Sequence, residues 1–216
     1  MGRSAIFAAS AAVLLCAANA ALAGGMLING DLELGADGNS ADGWILNETP
    51  GGANSADFTG FANHTPAGAR GLWFRPFDGG IGGPPVNAIL YQDVPAVPGV
   101  DYVLSAWFKE EAGYSGQNLL FMHFFDAGDG LIGSVSFDVD AAQTNDSVWR
   151  QFSVGSVAPA GTAVIRVGAN MQDGVFSDMN PQSAFVDDFE LLAIPAPAGV
   201  VVAGMGLTGL AARRRR

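Results

Sequence analysis

The sequence predicts an all-β chain: an antiparallel jelly-roll β-sandwich flanked by an N-terminal signal helix and a C-terminal hydrophobic helix. Three observations predict it. Short β-rich runs recur between Gly, Pro, Asn and Asp clusters, the punctuation of a sandwich. No long stretch of the body repeats apolar residues at helical spacing. The 30 glycines and 11 prolines in 216 residues favour turn-rich β architecture over helical bundles. The chain divides into a signal peptide (1–23), a sandwich body (24–193) and a C-terminal tail (194–216).

Residues 1–23 carry Arg3 as a short positive region, then the small apolar run Ala5 to Ala18, then Ala21-Leu22-Ala23. That small-x-small end places cleavage after Ala23. The single cysteine, Cys16, lies in the discarded segment, so the mature chain has no disulfide and no cysteine-based metal cluster.

The body then reads as strands in order. Leu72 to Phe77 sets Trp73, Arg75 and Phe77 on one face. Ala88 to Val94 follows, and Pro98-Gly99 turns the chain into Tyr102 to Lys109. Alternation puts Tyr102, Leu104, Ala106 and Phe108 on one face and Val103, Ser105, Trp107 and Lys109 on the other. Leu119 to Phe125 is apolar on both faces and is expected to be central and covered on both sides. Asp126 to Gly130 turns it into Leu131 to Val139. Trp149 to Val157 and Thr162 to Val167 make a pair, and Ala184 to Leu192 closes the sheet. Eight or more strands without crossover helices fit a jelly roll. The glycine-rich stretches Pro50 to Gly60 and Asp78 to Pro85 read as loops, and the second, with no following helix and no lysine, is no phosphate loop.

Charge narrows the function. Five of the ten basic residues lie in the ends, while all 21 acidic residues lie between Asp31 and Glu190, so the body has a net charge of -16 and one lysine, Lys109. Such a surface disfavours nucleic acid and favours divalent cations. Catalytic signatures are missing: the two histidines, His64 and His123, have no metal-ligand spacing, and there is no Gly-x-Ser-x-Gly elbow. Glu110-Glu111 with Asp126 is the one conceivable acid/base set, and it reads as solvated turns. The expectation is a non-catalytic protein.

The tail runs Ile194-Pro195-Ala196-Pro197-Ala198, then an uncharged small-residue span to Ala212, then Arg213, Arg214, Arg215 and Arg216. Its 15-residue span would make about 22 Å of helix at ~1.5 Å per residue, short for a bilayer unless the arginines snorkel. This tripartite tail resembles the PEP-CTERM sorting signal read by exosortases, with Ala196 where that family usually has Glu. The resemblance implies a signal at Pro195 and Pro197 cut by an exosortase-like sorting protease, transient inner-membrane insertion, and delivery to the cell envelope, cell surface or extracellular biofilm matrix. A plain C-terminal anchor is the alternative.

The body resembles the galactose-binding-like jelly-roll of carbohydrate-binding modules. The resemblance rests on the order of Asn29-Gly30-Asp31-Leu32-Glu33-Leu34-Gly35, Asp42-Gly43-Trp44, Tyr91-Gln92-Asp93-Val94, Pro98 to Trp107, Trp149 to Phe152 and Val186-Asp187-Asp188-Phe189. It implies that Leu27 to Gly35 opens the fold as its first strand, and that the first and last strands lie together and bind one structural calcium ion, with Asp31, Glu33, Asp187 and Asp188 as candidate ligands and Glu33 and Asp187 favoured. Consecutive Asp187 and Asp188 point oppositely unless a bulge intervenes. It also implies binding of extracellular polysaccharide. Aromatic rings stack on sugar rings, so Trp107, Phe121 and His123 form one candidate platform, sharing a non-core face, and Trp73 and Arg75 another. Trp44 and Trp149 are assigned to packing. The alternative is a structural surface protein that acts by protein contacts.

Overall fold

A computed structural model describes residues 25–76, 81–177 and 182–194. The signal segment, nearly all of the tail, and Phe77 lie outside the described residues. Ten strands form: β1 (Ile45–Thr49), β2 (Ala56–Thr59), β3 (Gly71–Phe74), β4 (Val86–Pro95), β5 (Asp101–Glu110), β6 (Gln117–Phe125), β7 (Leu131–Asp138), β8 (Arg150–Val157), β9 (Val164–Gly174) and β10 (Ala184–Ile194). They make two five-stranded antiparallel sheets, ordered β1-β4-β9-β6-β7 and β2-β3-β10-β5-β8. Among the described residues there is no α-helix, only the 3-10 turn Gly60–Ala62.

Alternation builds the core. Tyr102, Leu104, Ala106 and Phe108 of β5 are buried, as are Leu120, Met122 and Phe124 of β6, Ile165, Val167, Ala169 and Met171 of β9, and Leu90 of β4. Fully burying such side chains contributes roughly 1.5–3 kcal/mol each. The open side between the sheets is closed by Phe137 of β7 stacked on Phe152 of β8, centroids 5.5 Å apart. β6 lies next to the edge strand β7, not at the sheet centre, yet its second face is still partly covered.

The first expected strand is not one. Residues 26–31 are bends and turns in which Asn29 and Leu32 take positive φ of 52° and 55°. The Asn29 side chain accepts the Leu34 N–H (2.9 Å) and donates to the Leu34 and Asp42 carbonyls. That local bonding, which suits Asn in a turn, outcompetes the apolar alternation. The segment still lies against the last strand, as expected: Phe189 donates to the Gly30 carbonyl (2.7 Å) and Met26 to that of Leu191 (3.2 Å). The 50–60 stretch, read as loop, contains β2.

A bulge interrupts β10 between Asp187 and Glu190, with Asp188 at φ 50°. It inserts a residue, so Phe189 rather than Asp188 faces the core.

Candidate functional site

The outward face of the first sheet carries a cleft. Antiparallel register sets Asn47 of β1 opposite Ile89 of β4, Ile89 opposite Asn170 of β9, and Thr49 opposite Asn87. With Gln172 and Asp173 these residues line a cavity of about 280 Å³. Period-two alternation explains the polarity: on β9 the intervening Ala169 and Met171 go to the core. Asn87 Oδ1 accepts the Asp173 N–H (2.9 Å). Asn170 Oδ1 is buried and accepts no hydrogen bond. An unmet buried acceptor is costly, and here it belongs to a residue that lines the cleft.

Farther along the same face lie two residues singled out from sequence. Phe121 and His123 of β6 pack together, centroids 4.6 Å apart. Phe121 is 1% exposed, so its ring offers no stacking surface. Burial, and then the Arg166 charge opposite, lower the His123 pKa, keeping it a neutral donor–acceptor at pH 7. Arg166 lies over Tyr91 (4.1 Å) and is paired in a fork with Asp93 (2.7 and 2.8 Å). The row Tyr91–Gly168–Phe121 has no side chain at its centre, and a Cβ on Gly168 would run into the Leu90 carbonyl.

Trp107 does not join Phe121 and His123. It belongs to β5 in the other sheet, whose outward face points to the opposite side of the sandwich. That face gathers Trp73 of β3, Phe185 of β10, Trp107 and Lys109 of β5, and Trp149 immediately before β8. Trp149, assigned to packing from sequence, is partly buried there against His64 and Phe185. Arg75 lies over Trp73, 4.8 Å from the ring centroid, so that pair is brought together as expected. The 60–70 segment folds over the middle of the face. His64, missed in the sequence, stacks on Trp107 at 4.2 Å, and Phe61 meets Trp73 edge-on at 4.9 Å. Trp44 packs inside against Phe189 and donates to the Asn29 carbonyl.

The candidate metal ligands separate into two kinds. Asp31 is exposed on its turn. Glu33 accepts the Ala69 N–H (2.6 Å) and sits beside Asn63 Oδ1 over Gly68. Asn63 Oδ1 is buried without a hydrogen-bond partner. Asp187 is fully buried and accepts N–H bonds from His64 (2.7 Å), Thr65 (3.3 Å) and Asp188 (2.8 Å). Burial outweighs those bonds and pushes its pKa up to about 7. Asp188 binds His64 Nδ1 (2.6 Å) and the Thr65 hydroxyl (2.5 Å). The bulge thus brings both aspartates to the 64–65 segment. Among the described residues no three His, Cys, Asp or Glu side chains converge as a ligand group.

The conceivable acid/base carboxylates do not meet. Glu110 bonds Asn118 at the start of β6, Glu111 holds the Ser183 N–H, and Asp126 caps the turn beyond the other end of β6. At ~3.3 Å per residue, that strand separates them by tens of ångströms.

No protein-family model and no curated protein matches the chain. Solved structures do. A family 16 carbohydrate-binding module aligns at TM-score 0.51 with 18% identity, covering 77% of this chain and 99% of its own. TmCBM61, solved with β-1,4-galactotriose, aligns at TM-score 0.50 and 16% identity, covering 79% and 99%. The enzymatically active domain of bacteriophage CBA120 tailspike protein 4 aligns at TM-score 0.59 and 13% identity over 79% of this chain, which spans 21% of that longer one. A cyclase from Fischerella sp. TAU aligns at TM-score 0.53 and 15% identity. The chain is thus an all-β, jelly-roll-like sandwich with the fold of carbohydrate-binding modules, a fold that enzymes also use.

Proposed function

We propose that the body is a non-catalytic carbohydrate-binding module of a secreted surface or matrix protein. The observation that carries this is the amide-lined cleft on the first sheet. Asn47, Asn87, Asn170 and Gln172 present both donors and acceptors, as sugar hydroxyls require. Asn170 Oδ1 awaits a donor. Ile89 gives an apolar floor, and His123 and Tyr91 extend the face. The sequence-based platform of Trp107, Phe121 and His123 gives way to this cleft. Its test is Asn170→Ala in affinity gels loaded with a panel of neutral polysaccharides. The variant is expected to lose at least tenfold in affinity for the polysaccharide that retards the parent, the loss of one to two sugar hydrogen bonds. Equal retardation of parent and variant would remove the cleft as the site.

One calcium ion belongs to the same reading. The donors are hard oxygens, as calcium prefers: Glu33, Asn63 and Asp187, with backbone carbonyls of the 62–71 segment. An orphaned amide oxygen and a buried carboxylate held up by desolvation both fit a cation. The ion would tie the N-terminal segment, the 60–70 segment and β10 together. Asp31 and Asp188 are left out of the set.

Secretion with cleavage after Ala23, sorting at Pro195 and Pro197 by an exosortase-like protease, and passage through the inner membrane complete the proposal. N-terminal sequencing of the exported protein should read Gly24-Gly25-Met26.

A further inference from the structure

The second sheet's outward face holds a cation that the cleft does not use. Register places Trp73 of β3 opposite Phe185 of β10, Phe185 opposite Lys109 of β5, and Trp107 of β5 opposite Gln151 of β8. Lys109 Nζ lies 4.2 Å from the Phe185 ring centre and 4.8 Å from that of Trp149. Trp149 in turn meets His64 at 5.1 Å, and His64 covers one face of Trp107. Three of the four tryptophans of the chain stand on this one face. All three are partly buried, and Phe61 at its edge is 58% exposed.

Charge decides what this face receives. The body has five basic residues. Arg150 is paired with Asp146, Arg166 with Asp93, and Arg75 with Asp57, while Arg70 donates to the Asp37 and Ser40 carbonyls. Lys109 is held by rings with no ion pair beside them. Among the described residues no carboxylate lies within 4 Å of it. In a body of net charge -16, a half-buried ammonium with no carboxylate in contact is a local exception, and Glu111 acts on it only from a distance. Burial also lowers its pKa, so an added anion would be met by an ammonium that water solvates poorly. Beside it, Trp107, Gln151 and Ser105 offer indole, amide and hydroxyl on one surface, with Gln151 and Ser105 3.4 Å apart. From β3 to β8 the face spans three strand spacings, about 14 Å, the length of a short oligosaccharide.

We propose that this face is a second saccharide site, selective for acidic sugars: Lys109 binds a sugar carboxylate, and Trp149 and Trp107 pack against the pyranose rings. It rests on the reading that the sandwich binds saccharide, and not on the amide cleft. It lies on the opposite side of the molecule, so one copy of the chain would hold two different polysaccharides at once. A protein anion would meet the same ammonium, but the row of rings beside it suits the apolar faces of pyranose rings.

The test is titration of the purified full chain, followed by tryptophan fluorescence, with trigalacturonate as the acidic probe and β-1,4-galactotriose as its neutral counterpart. Trigalacturonate should quench the fluorescence saturably, and binding should weaken several-fold between 0.05 and 0.5 M salt, on the order of one screened ion pair. Lys109→Gln and Trp149→Ala should each weaken it at least tenfold, and Lys109→Arg should restore it. Asn170→Ala, in the other cleft, should leave it unchanged. Circular dichroism melts of Lys109→Gln confirm that the variant is folded. Trigalacturonate binding that survives Lys109→Gln, or equal binding of the two trisaccharides, would overturn the proposal. So would no response to trigalacturonate while a neutral polysaccharide still retards the chain through Asn170, and that outcome leaves the cleft standing.

Discussion

Glu110 is where burial writes itself into chemistry most clearly. Its side chain is wholly enclosed between the sheets, accepting from Asn118 Nδ2 at 2.6 Å, and Tyr114 donates to the other end of the same amide at 2.7 Å. Desolvation raises its pKa to about 7 against that hydrogen bond, with Asp140 and Asp138 adding repulsion. A carboxyl raised in the fold stabilises it in its neutral form, so its contribution is full below the unfolded value of 4.5 and is lost as pH rises through about 7. At ~1.4 kcal/mol per unit, the loss is a few kcal/mol. Glu110→Gln stays neutral and can still accept from Asn118. Urea unfolding at pH 5 and pH 8 should show the parent weaker at pH 8 and the variant losing less, its remaining loss coming from Asp187, also raised to about 7; parallel profiles would contradict the assignment. Sequence could not reveal this, because Glu110-Glu111 looks like a solvated strand end. Only the neighbouring Asn118 and Tyr114, brought together by β5 and β6, make it an enclosed acid. Likewise Trp149 and Lys109 become neighbours only once β5 and β8 pair, whereas Trp73 and Arg75, two apart on one strand, were legible as a pair.

At the scale of the element, short apolar runs made eight strands legible, β3 to β10: β5 through a period of two written directly in its residues, β6 through residues apolar on both faces. β9 runs to Gly174, longer than its apolar stretch, since its outward residues Asn170 and Gln172 are polar for the sake of the cleft. Where turn chemistry competes, the pattern misleads: Asn29-Gly30 folds back on Leu34, although the flanking residues alternate. β2 is four residues long and hidden among glycines. Several glycines set close approaches that no side chain tolerates, two of them against strand carbonyls of the sheets. A Cβ on Gly168 would strike the Leu90 carbonyl in the middle of the first sheet, and one on Gly30 would strike that of Phe189. Gly168→Ala must part β4 from β9, so it should cost roughly 1–3 kcal/mol or more, read as a lower urea midpoint. It should also weaken saccharide binding beyond what stability explains, because the cleft spans those two strands. An unchanged midpoint would contradict the packing described.

At the scale of the whole molecule, two sheets turn two chemically different faces outward, one amide-rich and one aromatic around a lone lysine. The sequence pattern shows which residues leave the core but not which sheet they leave from. That is why Trp107 reads as a companion of Phe121 and His123 when pairing sends it to the other side. Glu33 of the N-terminal segment and Asp187 of β10 each hold the 60–70 segment, which also carries Asn63. Calcium there should raise the melting temperature by several degrees over a chelated sample, as any ligand of the folded state does. Asp187→Asn should abolish the increment, and magnesium should not replace it, given its demand for small octahedral sites. Equal melting with calcium and with chelator would remove the ion from the account. The central claim, that this sandwich binds saccharide through the amide cleft, is tested most directly by affinity electrophoresis of parent and Asn170→Ala chains through gels of different polysaccharides. The account predicts that at least one neutral polysaccharide retards the parent and that Asn170→Ala migrates as in an empty gel. Free migration of the parent across a broad panel would contradict it and leave a surface protein that works by protein contacts.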